Sequence, residues 1–313
     1  MSNSEGNTSG TSSQHAARPL RVAVTGGSGR VGRFVVRELV ARGHQVVNLD
    51  RKQPAESCGR FVFLDLSRRE LVQPVLEQVD AVCHLGELPG VGGMSPDETY
   101  ARNTAAGAVV MQTAADLKLK RVIYTSTVQV YGCWGPDFGA PRFLPMDETH
   151  PLLPNNAYSA GKVANEVYAR MISERHGISV AIFRLPGMQD YDLEKLDQQS
   201  HVFHWLTHST GRCEGMATYL HAADAARAYA LAVENPRPGC EAYHFTAPEV
   251  FSCVPIRERM LKHNPENPPL PSDWPAFKSP VITEKARQHF GWVPQVNVLD
   301  IYRKKFGRDP QPE

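Results

Sequence analysis

The chain has 313 residues, of which 42% are hydrophobic, so it is long enough for one large domain or for a core domain and a smaller lobe. Its 34 basic and 33 acidic side chains nearly cancel, which argues against bulk attraction to nucleic acid or to an acidic membrane surface. No stretch approaches the roughly eighteen apolar residues of a membrane span. The six scattered cysteines lack the spacing of a disulfide framework or a zinc site, which predicts reduced thiols in a cytoplasmic protein without a metal.

The first residues, 1–18, are rich in Ser, Thr, Gly and Asn and hold almost nothing apolar. This composition predicts a disordered tail, and the lack of an apolar segment predicts that the tail is not a secretory signal. The apolar run Val22–Val24 then predicts a buried parallel strand. Glycines follow it, and after them a helical pattern that includes Phe34 and Leu39.

This order of strand, glycines and helix is the context of a dinucleotide-binding turn. Gly26 or Gly27 would make the tight turn. Gly29 would let the backbone approach a pyrophosphate, and Gly32 would let the helix pack close to the strand. The first N–H groups of the helix would then face the phosphates.

A second strand, 45–49, ends in an acid that suits an adenosine ribose. Asp50 lies eighteen residues after Gly32, near the offset of about twenty expected for the acid that binds the ribose hydroxyls. Asp50 therefore favours NAD, because its charge repels a 2′-phosphate. Arg51 comes next and could stack on adenine or bind that phosphate, so NADP remains the alternative.

Strand and helix patterns alternate through the first two thirds of the chain, which predicts a parallel sheet covered on both faces by helices. The fold class is therefore α/β, a doubly wound parallel sheet with a smaller C-terminal substrate-binding lobe. We expect a nucleotide-binding domain at 19–184 and the lobe at 185–313, with some segments of the lobe returning to the core. The predicted elements after residue 50 are strands at 60–64, 81–84, 121–126 and 178–183, and helices at 70–78, 97–117, 158–175, 202–208, 222–233 and 254–263.

Tyr158 and Lys162 lie four residues apart and share one face of a predicted helix. A cation one turn from a phenol favours the phenolate, so Tyr158 is a candidate general acid/base for a substrate hydroxyl or carbonyl. Lys162 could also hold a cofactor ribose. Alone, such a pair also fits a solvated helix face. However, the hydroxyls of Thr125–Thr127 cluster at the carboxyl end of a strand, where open parallel sheets bind ligands.

With these motifs the chain resembles the extended short-chain dehydrogenases/reductases of the NAD-dependent epimerase/dehydratase group, over about residues 20–305. The resemblance implies a Rossmann-type core and a homodimer formed through the helices that contain Asn103 and Tyr158. The matching motifs are Thr25–Gly32, Asp65-Leu66, His84–Gly86, Asn103, Ser126-Thr127 with Val130–Gly132, Tyr158 with Lys162, Leu220–Ala226 and Phe290–Pro294.

The resemblance also implies a role for individual residues. Thr127, Tyr158 and Lys162 would be the catalytic residues. Residues expected to bind the cofactor are Gly26, Gly29, Arg30, Val31, Gly32, Asp50, Arg51, Asp65, Leu66, Leu85, Gly86, Asn103, Tyr158, Lys162 and Leu185. Residues expected at the substrate are Glu87, Thr127, Val128, Gln129 and Arg184.

Departures from the group's pattern reduce the range of reactions and substrates that the resemblance allows. Val128 and Gln129 stand where dehydratases carry an Asp-Glu pair, so dehydration is disfavoured. Ala217 stands where nucleotide-sugar enzymes usually place a phosphate-binding Arg, and the segment from Arg184 to Asp224 is short for a nucleotide-sugar site. Although Arg212 could substitute, a smaller polyol, sugar, sugar acid or lactone is favoured. The His-Leu-Gly form at 84–86 also resembles uronate dehydrogenases.

The sequence thus predicts an NAD(P)-dependent oxidoreductase or epimerase that acts by hydride transfer on a carbohydrate-like alcohol or ketone, with Tyr158 as acid/base. The alternative within enzymes is a nucleotide-sugar 4-epimerase. A non-catalytic NAD(P)-binding sensor or scaffold is the alternative of another class, and the retained Thr127, Tyr158 and Lys162 argue against it. The histidines at 201, 204 and 208 fit a polar helix face better than a metal site.

Overall fold

The structure, a computed structural model, describes residues 18–90, 93–134, 139–192, 202, 206 and 216–311. The predicted tail lies outside these residues except for Arg18. The predicted helix 202–208 lies outside them except for Val202 and Leu206. The histidines at 201, 204 and 208 and the candidate phosphate ligand Arg212 also lie outside the described residues.

Seven parallel strands form the central sheet in the order β3-β2-β1-β4-β5-β6-β9. A separate pair, β7 and β8, is also parallel. The chain moves outward from β1 to β3 and then crosses to β4 on the other side of β1, which opens a crevice at the carboxyl ends of β1 and β4. The strands are β1 (Arg21–Thr25), β2 (Gln45–Asp50), β3 (Arg60–Phe63), β4 (Ala81–His84), β5 (Arg121–Thr127), β6 (Ser179–Leu185), β7 (Gly187–Gln189), β8 (Tyr219–His221) and β9 (Cys240–His244).

Helices cover both faces of this sheet, and each face has its own apolar core. The described helices are α1 (Gly32–Ala41), α2 (Arg69–Leu76), α3 (Pro96–Asp116), α4 (Ala157–His176), α5 (Ala222–Glu234), α6 (Ile256–His263), α7 (Glu284–Phe290) and α8 (Val298–Phe306), with a short 3-10 helix at Val128–Tyr131. Helices α1, α5 and α7 pack on one face through residues such as Leu39, Tyr229 and Phe290. Helices α2, α3 and α4 pack on the other through Val72, Val110 and Ile172. The predicted doubly wound α/β fold is confirmed.

The segment after residue 185 divides between the sheet and a smaller lobe. Helix α5 packs against α1, and β9 pairs in parallel with β6, so residues 222–244 belong to the central layers. Two further apolar clusters lie beyond the sheet, one that joins Val250 and Met260 to Val130 and Met146 and one around Phe251 and Leu299. None of the helices in the described part of the chain is long and apolar enough to span a bilayer.

Local sequence fixes where helix α4 begins. The side chain of Asn156 accepts a hydrogen bond from the Ser159 backbone at 2.9 Å, and the Ser159 hydroxyl accepts one from the Asn156 backbone at 3.3 Å. This reciprocal capping starts the helix at Ala157 and places Tyr158 in its first turn. Helix α4 packs closely on α3, because a Cβ on Gly107 would lie 2.3 Å from the amide nitrogen of Asn165.

Candidate active site

The turn between β1 and α1 is packed against the loop that follows β4. Gly26 has a φ of 68°, and a Cβ there would lie 2.8 Å from the Gly86 Cα. A Cβ on Gly32 would lie 2.1 Å from the carbonyl oxygen of Gly26. Side chains would therefore disrupt the turn. At the start of α1, the N-cap residue Val31 provides no side-chain hydrogen bond, so the helix N-terminus remains available for an anion.

Acidic residues follow at the carboxyl end of β2. The Asp50 carboxylate accepts hydrogen bonds from the backbone N–H of Ser28 at 3.0 Å and of Lys52 at 2.9 Å. Arg51 lies 3.5 Å from the Asp65 carboxylate. Hydrogen bonds from Ser67, backbone first and hydroxyl second, lower the pKa of Asp65 below its ordinary value. This end of the cavity thus carries two carboxylates, Asp50 and Asp65, among the cations Arg51, Lys52 and Arg102, and Asp65 partly neutralises Arg51.

A cavity of about 1010 Å³ runs from these acids to Tyr158 at the far end. Its size is at the upper end of the range of about 300–1,000 Å³ found for small-molecule sites. Every predicted site residue except Arg184 lines it. These residues are Gly26, Gly29, Arg30, Val31, Gly32, Asp50, Arg51, Asp65, Leu66, Leu85, Gly86, Glu87, Asn103, Thr127, Val128, Gln129, Tyr158, Lys162 and Leu185.

The three predicted catalytic side chains, Thr127, Tyr158 and Lys162, all line the cavity. Lys162 Nζ lies 5.6 Å from the centroid of the half-buried Tyr158 ring and donates a hydrogen bond to the Thr125 carbonyl oxygen at 2.6 Å. Thr127 is the N-cap of the 3-10 helix, and its hydroxyl accepts a hydrogen bond from the Gln129 backbone at 3.2 Å. The Thr127 hydroxyl hydrogen therefore remains available for a ligand.

The neighbouring hydroxyls of β5 are used within the core. The Thr125 hydroxyl pairs with the Tyr229 hydroxyl at 2.6 Å, and the Ser126 hydroxyl donates to Glu166 at 2.6 Å. Of the three clustered hydroxyls, Thr127 is therefore the one suited to contact a substrate oxygen.

Glu87 lines the cavity, but its carboxylate is bound by neighbouring side chains. The sequence placed it at the substrate, but its carboxylate is 2% exposed and lies 2.7 Å from Lys162 Nζ. The amide of Asn165 donates to it at 2.9 Å and the Tyr124 hydroxyl at 3.3 Å. These donors occupy both oxygens of the Glu87 carboxylate, and its contact with the substrate stays a prediction. The only sequence signal was an acid directly after His84–Gly86.

Arg184, unlike the other predicted site residues, does not line the cavity. Its side chain on β6 is 2% exposed and forms two hydrogen bonds with Glu166, at 3.0 and 2.7 Å. A further nitrogen donates to the Tyr131 hydroxyl at 2.7 Å and to the Glu148 carbonyl at 3.1 Å. The guanidinium is thus committed to the core, where it cannot contact a substrate in the cavity.

Asn103 lines the cavity, and its side chain binds the backbone of the loop after β4. Its amide accepts a hydrogen bond from the backbone N–H of Leu88 at 2.8 Å and donates one to the Leu88 carbonyl at 3.1 Å. It therefore fixes the loop after β4 on which Leu85, Gly86 and Glu87 lie. Among the described residues, no group of three or more His, Cys, Asp or Glu side chains is placed to hold a metal ion.

The fold and the cavity are those of a dinucleotide-binding enzyme of the Rossmann type. The chain belongs to the NAD dependent epimerase/dehydratase family, whose model matches residues 22–246. The predicted resemblance is confirmed, and the protein is an enzyme of a family whose cofactor is NAD.

Individual relatives are more distant. A UDP-glucose 4-epimerase of Azospirillum brasilense is 31% identical over 180 residues, which are 55% of this chain and 49% of that protein. A dTDP-glucose 4,6-dehydratase of Streptomyces niveus is 27% identical over 90% of both chains. The solved structure of a UDP-glucose 4-epimerase from Bifidobacterium longum, with NAD⁺ and UDP, superposes with a TM-score of 0.68 at 18% identity, covering 92% of this chain and 99% of that one.

Proposed function

We propose that this protein is an NAD-dependent oxidoreductase or epimerase that transfers hydride to and from a carbohydrate-like alcohol or ketone, with Tyr158 as acid/base. One observation carries the proposal. The same cavity has a glycine turn and an acid at one end and Tyr158, Lys162 and Thr127 at the other. A dinucleotide that spans the cavity would therefore bring its nicotinamide to the three catalytic side chains.

The residues present fit a dinucleotide. The glycine turn and the open N-terminus of α1 would hold the pyrophosphate, with Arg30 and Val31 beside it. Asp50 would accept hydrogen bonds from the adenosine ribose, and Asp65 with Leu66 would border the adenine. Leu85, Gly86, Asn103 and Leu185 would border the nicotinamide half. We favour NAD over NADP, because the Asp50 carboxylate would repel a 2′-phosphate on the ribose that it binds, and the neighbouring Arg51 is paired with Asp65.

The chain's own residues then supply the proton chemistry. When bound, the cofactor accepts or returns a hydride at the substrate carbon. Tyr158, as phenolate, would take the proton of the substrate hydroxyl as that hydroxyl is oxidised, and would return it on reduction. Thr127 would donate a hydrogen bond to the same oxygen, and the Lys162 ammonium would stabilise the phenolate. An epimerase would use the same groups, reducing the ketone from its other face.

Dehydration of the substrate does not fit this site. Val128 is buried and apolar, and Gln129 has a neutral amide that accepts a hydrogen bond from Asn156 at 3.5 Å. Neither side chain can protonate a leaving hydroxyl. We therefore propose a dehydrogenase or epimerase reaction even though a dehydratase is among the relatives.

The test combines a cofactor measurement with one variant. Native mass spectrometry shows whether NAD stays bound, and polyols, aldoses and uronic acids are then screened for cofactor reduction and nucleotide sugars for isomerisation. We expect Tyr158→Phe to bind NAD like the wild type and to lose about a hundredfold or more in turnover. Unchanged turnover in Tyr158→Phe would exclude Tyr158 as the acid/base. A protein that binds NAD and turns over no substrate in the screen would favour the sensor or scaffold.

A nucleotide-sugar 4-epimerase is the second candidate, and the relatives support it. Against it, Ala217 is fully buried with a φ of 47°, and its methyl group cannot bind a phosphate. Retained NAD at one per chain, together with a rise in melting temperature on adding UDP, would favour the nucleotide-sugar epimerase. A protein free of NAD and indifferent to UDP would favour a dehydrogenase of a smaller substrate.

We also propose a homodimer formed through α3 and α4, in the cytoplasm. Val167 on α4 is 60% exposed and Tyr100 on α3 is 42% exposed, so the paired helices keep apolar side chains that a second copy could cover. The described cysteines form no disulfide with one another, which fits a reducing compartment. Sedimentation of the wild type against Val167→Glu tests the dimer, because the charge would disrupt that interface.

A further inference from the structure

The Glu87 carboxylate is ionised and almost completely buried beside the catalytic side chains. Its side chain is 2% exposed, and that of its partner Lys162 is 4% exposed. One carboxylate oxygen faces Lys162 and Tyr124, while the other faces Asn165 and His84. A buried carboxylate is costly unless donors surround it, and here every neighbour is a donor or a cation.

The hydrogen bonds of Thr25 indicate which ring nitrogen of a neutral His84 carries the proton. The Thr25 hydroxyl oxygen accepts backbone N–H groups from Leu85 at 3.1 Å and Gly86 at 3.0 Å. With both lone pairs used, it can only donate to His84 Nδ1, which lies 2.7 Å away. Neutral His84 then carries its proton on Nε2, and that N–H lies 3.2 Å from a Glu87 oxygen, outside hydrogen-bond geometry.

Lys162 has three N–H groups, and the protein uses two of them. One faces Glu87 at 2.7 Å and one donates to the Thr125 carbonyl at 2.6 Å. These two contacts hold the ammonium group in place, because one is made by the loop after β4 and the other by β5. The third N–H remains for a ligand in the cavity or for the oxygen of Tyr158.

We infer that Glu87 is a positioning residue that keeps Lys162 charged and fixes its free N–H beside Tyr158 and the bound dinucleotide. This inference rests on the proposed function, in which Tyr158 and Lys162 move the proton. This role, positioning Lys162, is different from the contact with substrate that the sequence predicted for Glu87.

The charges around the pair give the inference a measurable consequence. Burial would lower the pKa of Lys162, but Glu87 above all, then Tyr158 and, least, Glu166 raise it above its ordinary value of 10.5. Burial would raise the pKa of Glu87, but Lys162 and His84 hold it below 4.5. The Tyr124 hydroxyl also faces the pair. Removing the Glu87 charge leaves burial dominant, so Lys162 would lose its proton at lower pH.

The direct test is the titration of the Lys162 ammonium group, followed by ¹⁵N NMR in the full chain without substrate. The signal is assigned by its absence in Lys162→Met. We expect the wild-type group to stay charged up to the ordinary value of 10.5 and the Glu87→Gln group to lose its proton below it. The expected shift is about one pH unit or more, a tenfold change in the proton affinity. Glu87→Asp, which keeps the charge, should titrate closer to the wild type.

Glu166→Gln is the matched control, because it removes a different buried carboxylate, which lies one turn after Lys162 on helix α4. Its effect on Lys162 should be the smaller of the two, since Glu166 has the weakest influence of those named. Equal midpoints in the wild type and Glu87→Gln would overturn the inference. If Glu87→Gln does not fold, a wild-type midpoint below 10.5 would overturn it and one above would support it.

Turnover separates this inference from the proposed function. With a substrate in hand, the alkaline limb of the rate profile should move to lower pH in Glu87→Gln by the same amount as the NMR midpoint. An inactive Tyr158→Phe with an unmoved limb in Glu87→Gln would retain the proposed function and remove the role of Glu87. An active Tyr158→Phe would remove the proposed function itself.

Discussion

Helix α4 contributes one residue to each of two buried ion pairs. The two residues lie one turn apart, and the two pairs lie in different surroundings. Lys162 pairs with Glu87 and Glu166 pairs with Arg184, each with a nitrogen-to-oxygen distance of 2.7 Å. All four side chains are almost fully buried. The first pair lines the cavity, whereas Arg184 and Glu166 do not line it.

The difference lies in where the donors are placed. Arg184 uses four of its five N–H groups, two toward Glu166 and one each toward Tyr131 and the Glu148 carbonyl, and its side chain does not line the cavity. Lys162 keeps one N–H group beside the cavity. Two ion pairs of equal length and burial can therefore have different uses, one fixing the packing of β6 on α4 and one holding a charge where a ligand can meet it.

The largest effect should come from removing the cation of the cavity pair. We expect Lys162→Met to lower turnover about a hundredfold or more, because Tyr158 loses the charge that stabilises its phenolate. It also leaves Glu87 buried without its cation, at a cost of about 3–5 kcal/mol in the free energy of unfolding. Turnover assays and urea denaturation measure the two effects.

The double variant Lys162→Met with Glu87→Gln separates these effects. Removing the orphaned charge should recover most of the stability while turnover stays low. Recovery of turnover along with stability would show that the cavity pair is purely structural.

The next effect comes from breaking the core pair. Arg184→Met should lower the free energy of unfolding by about 3–5 kcal/mol, because the Glu166 carboxylate loses its buried cation and keeps only the exposed Arg170 at 3.9 Å. NAD affinity and the pH profile of the folded enzyme should stay close to those of the wild type, since the pair does not reach the cavity. Calorimetric NAD binding at a temperature where the variant is folded checks this. A tenfold loss of NAD affinity would contradict the division between the two pairs.

The smallest effect is the pH dependence of the stability that the cavity pair contributes. The pKa of Glu87 is lowered, so its contribution is present above the ordinary value of 4.5 and is lost as pH falls through the lowered value. The pKa of Lys162 is raised, so its contribution is present below 10.5 and is lost as pH rises through the raised value. The stability difference between wild type and Glu87→Gln should therefore be greatest near neutral pH.

Urea denaturation of both proteins at neutral and acidic pH measures this difference. It should shrink on acidification by about 1.4 kcal/mol for each unit by which folding lowers the Glu87 pKa. A difference that stays constant down to full protonation would mean that the Glu87 charge contributes nothing to folding.

The parts of the site that follow from local sequence were predictable. The strand, glycines and helix around Gly26 and Gly32 are adjacent in the chain, and the spacing of Tyr158 and Lys162 fixes them on one helix face. The alternation of strands and helices was enough to predict the doubly wound sheet. Each of these inferences needs only periodicity or neighbouring residues.

The partners of buried charges were not predictable, because they depend on how distant elements pack. Glu87 meets Lys162 only after α4 packs beside the loop that follows β4, and an acid after a glycine looks equally suited to a substrate. Arg184 is the second-to-last residue of β6, and the register of β6 with β5 places its side chain on the same side of the sheet as that of Ser126. The sequence does not show that Glu166 lies on that side.

The most direct test of the central claim is a stopped-flow record of nicotinamide absorbance when the NAD-loaded protein meets the substrate found by screening. We predict that the wild type and Arg184→Met form reduced nicotinamide, transiently for an epimerase and lastingly for a dehydrogenase. Tyr158→Phe should bind NAD equally well and form none on the same time scale. Equal reduction in the wild type and Tyr158→Phe would contradict the account.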